Sequence, residues 1–162
     1  MLKAFFEPAA VAVIGASINP DKLGYAVLNN LVEGGYARRG KVYPINPKAK
    51  EILGHLAYPS VLDVPAPIGL AVIVLPYLFV PDILRECGQK RIPAAVVISA
   101  GFREVGLEGL KRERELIAIA REFNIRLIGP NCLGVIDTFT PLNATFAAGS
   151  PPRGPMAFTS QS

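Results

Sequence analysis

The residues of this sequence best suited to chemistry are glycines, lysines and small polar side chains gathered in a few short stretches. The first is Gly15-Ala16-Ser17-Ile18-Asn19-Pro20-Asp21-Lys22-Leu23-Gly24, directly after the apolar run Val11-Ala12-Val13-Ile14. A glycine at the end of a strand permits a tight turn and a close backbone approach. A helix that follows points its amide groups, with their partial positive charge, at whatever sits there. That arrangement suits a phosphate, and Lys22 adds a full charge. The stretch departs from G-x-G-x-x-G, because the second glycine is absent and the loop is longer. Gly15, Ala16, Ser17 and Lys22 are thus candidate phosphate-binding residues, against the alternative of an ordinary strand-to-helix turn.

The second stretch, Asn46-Pro47-Lys48-Ala49-Lys50, follows the run Lys41-Val42-Tyr43-Pro44-Ile45. Folds that take NAD commonly hold an acidic residue at the end of their second strand, for the ribose hydroxyls. Here there is no acid and there are two lysines. A lysine attracts a phosphorylated ribose that a carboxylate would repel. Coenzyme A, with its 3′-phosphate, and NADP, with its 2′-phosphate, both fit this chemistry, and NAD fits poorly. The alternative is a pair of solvated surface lysines.

Three more stretches follow apolar runs: Leu75-Pro76, Ser99-Ala100-Gly101-Phe102, and Gly129-Pro130-Asn131-Cys132. Small residues and turn formers leave room for a ligand and bring backbone amides within reach. Other reactive side chains are poorly placed for catalysis. Cys132 has no histidine in its motif, and a thiol in an apolar turn is usually inert. Cys87 falls in an expected helix, and Asp63, Asp82 and Asp137 lie too far apart for a metal signature. His55, the single histidine, sits in Gly54-His55-Leu56 and is expected to be structural or at the surface.

The elements that must position these stretches follow from the apolar pattern. Five runs, at Val11–Ile14, Lys41–Ile45, Leu70–Val74, Ala95–Ile98 and Ile125–Ile128, suit strands buried on both faces of a parallel sheet. Between them, helical spacing appears over Tyr25–Val32, from Pro81 to about Gly88, and over Glu108–Phe123. The alternation predicts a doubly wound α/β fold with a mainly parallel five-stranded sheet. Such sheets bind ligands at the carboxyl ends of their strands, where all five stretches would converge.

Composition agrees with a single globular domain. The chain has 162 residues, 51% hydrophobic and 19% charged. No apolar run approaches the about 20 residues of a membrane span. Two cysteines form no disulfide framework, and the N-terminus lacks the layout of a secretory signal, so a cytoplasmic protein is expected. The net charge of +4 suits a small anionic ligand; the scattered basic residues do not call for nucleic acid. The expected organisation is a domain over 1–137, a Pro- and Gly-rich linker over 138–155, and the start of a second, truncated domain over 156–162, beginning with a strand at Met156–Thr159.

Taken in order, Gly15-Ala16-Ser17, Pro20–Gly24, Tyr43–Lys48, Ser99–Phe102 and Gly129–Gly134 resemble the CoA-binding domain of ADP-forming acetyl-CoA synthetases and, more distantly, the α subunit of succinyl-CoA synthetase. Leu142–Phe146 and Phe158–Ser162 also resemble this family. The resemblance implies a Rossmann-like fold and coenzyme A as substrate. It implies a reaction that interconverts acyl-CoA, ADP and phosphate with acid, CoA and ATP. It places the phosphohistidine, the ATP-grasp domain, ADP and Mg²⁺ in other domains or a partner subunit, so this chain alone is expected to be inactive. By the same resemblance, Gly15–Lys22 would meet the nucleotide end of CoA, and Asn46, Pro47 and Lys48 the adenosine phosphates. Val74, Leu75 and Pro76 would flank the adenine or the pantetheine arm. Ser99, Ala100, Gly101, Phe102 and Asn131 would guide the arm toward the reaction centre. An NADP-binding Rossmann protein and a standalone CoA-binding regulatory module are the alternatives.

Overall fold

A computed structural model describes residues 2–160. A short helix, α1 (Lys3–Phe6), precedes the first strand, β1 (Ala10–Ile14). All five residues of β1 are buried. Side chains alternate across a strand, so Val11 and Val13 enter one apolar cluster while Ala12 and Ile14 enter another on the opposite face. The helix α2 (Leu23–Glu33) follows, burying Val27, Leu28 and Leu31 at helical spacing and stopping at Gly34-Gly35. Next come β2 (Lys41–Ile45) and a small antiparallel hairpin of β3 (Glu51–Ile52) and β4 (His55–Leu56). Then follow β5 (Leu70–Ile73), α3 (Val80–Gln89), β6 (Ala94–Val97), α4 (Leu107–Glu122) and β7 (Arg126–Ile128). Pro81 stands in the first turn of α3, where its missing N–H leaves no intrahelical bond unmade.

The central sheet has five strands in the order β2-β1-β5-β6-β7, every neighbouring pair parallel. This is the Rossmann-like α/β fold that the alternating pattern predicts. One face is covered by α3 and α4, through Leu84, Cys87, Leu116 and Ile119. The other is covered by α2 and by a second hairpin, β8 (Gly134–Asp137) and β9 (Leu142–Thr145), through Val135, Leu142 and Ala144.

The tail departs from expectation. The linker expected over 138–155 contains a fully buried strand, β9, antiparallel to β8. Its polar residues hide the strand pattern, because they are satisfied internally. Thr145 Oγ1 donates to Asn143 Oδ1 at 2.6 Å, and Asn143 Nδ2 donates to the Gly149 carbonyl at 3.0 Å. The strand expected at Met156–Thr159 is instead irregular and exposed. The end of the expected second domain, Gln161 and Ser162, lies outside the described residues. Among the described residues, no helix is long and apolar enough to cross a membrane.

Candidate functional site

The carboxyl ends of β1, β2, β5, β6 and β7 open into one large cavity of about 1160 Å³. That exceeds the about 300–1,000 Å³ usual for a drug-sized ligand. Gly15, Ala16, Ser17 and Lys22 line it, as do Asn46, Pro47, Lys48, Val74, Leu75, Pro76, Ser99, Ala100 and Asn131. Segments far apart in sequence thus meet because parallel strands deliver their ends to one edge.

The turn after β1 needs its glycines. Gly15 has φ of 91°, and a Cβ there would run into the Val74 carbonyl. A Cβ on Gly24 would run into the Gly15 carbonyl, so the first turn of α2 lies directly on the strand end. That helix starts without a side-chain cap at Lys22 and without an acid in its first turn. Its positive end lies at the cavity wall, with no acid within its own first turn.

The loop after β2 is tied to the loop after β1 by one side chain. Asn46 Nδ2 donates to the Ala16 carbonyl at 2.7 Å, while the Lys48 amide donates to Asn46 Oδ1 at 2.8 Å. Asn46 thereby fixes the backbone that carries Lys48. Ser99 joins three strand ends: its Oγ accepts from the Leu75 amide at 3.3 Å, and its carbonyl accepts from the Asn131 amide at 2.9 Å. Among the described residues, the only charged side chains on the cavity wall are Lys22 and Lys48, both exposed, and no carboxylate lines it.

Gly101 and Phe102, expected to guide a ligand, do not line this cavity. Phe102 is fully buried in the cluster beneath α3 and α4. Gly101, with φ of 107°, turns the chain there and packs against the Tyr77 ring. Glu104 holds the turn by accepting from the Gly101 amide and from the Phe102 amide, the latter at 3.1 Å. Burial raises its carboxyl, but these amide bonds outweigh it and hold the group below its ordinary value. Arg112 completes the support, donating to the Gly101 carbonyl at 2.9 Å and lying 4.2 Å from the Tyr77 ring centre.

Several wall residues lie outside the expected site residues. Tyr77, Phe79 and Ile83 come from the start of α3 and the turn before it, Pro59 from the segment after β4, and Leu133 and Phe146 from the two ends of the β8–β9 hairpin. Cys132 also lines the wall; its thiol donates to the Val97 carbonyl at 3.4 Å, and burial pushes its pKa up. It is therefore a neutral thiol turned into the protein at neutral pH. Cys87 is buried in α3 with its thiol pushed up to about 12 by burial. His55 sits half-buried in the β3–β4 hairpin and is not a cavity residue. Among the described residues, no three His, Cys, Asp or Glu side chains gather to hold a metal ion.

Comparison with known proteins agrees with this geometry. The chain is 48% identical over 161 residues to the ADP-forming acetate–CoA ligase I of Archaeoglobus fulgidus, a match covering 99% of this chain and 23% of that one. It is 48% identical over 162 residues to the alpha subunit of ADP-forming acetate–CoA ligase II of Pyrococcus furiosus, covering 100% of this chain and 35% of the subunit. The solved acetyl-coenzyme A synthetase 1 of Ca. Korarchaeum cryptofilum, described as dinucleotide forming and in complex with phosphate and ADP, is similar with a TM-score of 0.86 and 43% identity. That match covers 90% of this chain and 31% of the other. The chain thus spans about a quarter to a third of the length of these relatives. Residues 9–138, which include every strand of the central sheet and nearly all of the cavity wall, match the family described as CoA binding domain, and the chain belongs to that family.

Proposed function

We propose that this chain holds coenzyme A for an ADP-forming acyl-CoA ligase. The observation that carries the reading is the cavity wall, whose charges among the described residues are two lysines and which also receives the positive end of α2. A ligand with several phosphates and a long, weakly polar arm matches that wall; a dinucleotide held by a carboxylate on its ribose does not. In this reading, the turn at Gly15–Ser17 and the start of α2 receive the pyrophosphate, and Lys48 attracts the ribose phosphate. The pantetheine arm runs past Val74–Pro76, Ser99 and Asn131. The chain binds and orients the thiol-bearing substrate, and residues of the ligase outside this chain supply the phosphohistidine and hold ADP and Mg²⁺.

Calorimetric titration of the 162-residue chain with CoA and with NAD tests this. CoA is expected to bind at least about tenfold more tightly, a difference of about 1.4 kcal/mol. Equal or tighter binding of NAD contradicts the reading. The same preparation, given acetyl-CoA, phosphate, ADP and Mg²⁺, is expected to release no free thiol. Turnover abolished by His55→Ala would contradict the assignment of the chain as a binding segment.

A further inference from the structure

Phe146 lies beyond the residues matched by the family, yet it forms part of the cavity wall. Its backbone is fixed on both sides by one side chain of α2. Asn30 Nδ2 donates to the Thr145 carbonyl at 2.8 Å and to the Ala147 carbonyl at 2.9 Å. The β8–β9 register sets Gly134 opposite Thr145, so Leu133 and Phe146 occupy the next facing positions. Both line the cavity, as does Leu23 at the start of α2. All three remain substantially exposed, with Leu23 and Leu133 at 50% and Phe146 at 36%. Phe146, held this firmly and still exposed, is expected to bury surface against something. Leu133 lies in the loop that follows β7 with Phe146 facing it, Leu23 opens α2 after β1, and Lys48 follows the edge strand β2. The uncharged arm of a ligand whose phosphates lie by Lys48 would find these apolar side chains on the wall of the same cavity.

We propose that Phe146, with Leu133 and Leu23, grips the pantetheine arm of coenzyme A, and that Asn30 is the positioning residue that sets Phe146 in place. The proposal rests on the CoA reading above. Its test compares two ligands on the 162-residue chain: CoA, and adenosine 3′,5′-bisphosphate, which lacks the arm. Phe146→Ala is expected to weaken CoA about tenfold, because it removes most of an aromatic contact, and to leave the bisphosphate within about twofold. Asn30→Ala is expected to give the same selective loss. Phe146→Leu, which keeps an apolar side chain and guards against misfolding, is expected to lose less CoA affinity than Phe146→Ala. Variants that weaken both ligands equally, or neither, overturn the proposal while the CoA reading stands. Failure of the unaltered chain to bind CoA removes that reading and the proposal with it.

Discussion

Lys48 illustrates how exposure sets the scale of a charge contact. A buried charge-assisted hydrogen bond is worth roughly 1.5–3 kcal/mol. Lys48 is exposed, so solvent screening holds its contribution to about 1 kcal/mol. Lys48→Ala is therefore expected to weaken CoA about fivefold and to change dephospho-CoA much less. Raised salt should shrink the difference, because exposed charges are screened. Titrations of both ligands at two ionic strengths check this, and equal losses for the two would place Lys48 away from the ribose phosphate. Asn46 works differently from its neighbour. Both ends of its amide are engaged with Ala16 and Lys48, so it shapes the site through backbone position. The resemblance suggested a ligand contact for Asn46; the folded chain shows that both ends of its amide also bond within the protein.

The packing of α2 on β1 is the element-scale feature that makes the turn after β1 possible. With Gly24 against the Gly15 carbonyl, any side chain there must push helix and strand apart. Gly24→Ala is expected to cost about 1–3 kcal/mol of stability through overpacking and to weaken CoA by opening the turn. Urea unfolding together with calorimetry checks it, and unchanged stability would contradict the close approach. This element was legible in the sequence, as were all five strands of the central sheet, because strands buried on both faces leave continuous apolar runs such as Leu70–Ile73. The β8–β9 hairpin was not. Asn143 and Thr145 are buried but satisfy each other and the following turn, so the local pattern reads as a polar loop. The β3–β4 hairpin, with two residues in each strand, is too short to show a period. Phe102 entered the expected site through the resemblance; in the fold, the turn at Gly101 sends its side chain into the core.

At the scale of the molecule, the two faces of the sheet carry different burdens. The face under α3 and α4 is a continuous apolar layer, whereas the other is shared between α2 and the hairpin. The cavity lies where α2, the hairpin and the strand ends meet, so its wall draws on residues from Ile14 to Phe146. Sequence motifs located the wall segments that follow strands. They could not locate Phe146 or Tyr77, whose places depend on how distant elements pack. The most direct test of the account is hydrogen exchange on the 162-residue chain with and without CoA. Protection is expected in the segments at 15–24, 46–48, 74–77, 99–100 and 131–133 and around Phe146, with little change in the β3–β4 hairpin. Protection centred on that hairpin, or on the amino ends of the strands, would contradict the placement of CoA at the carboxyl edge.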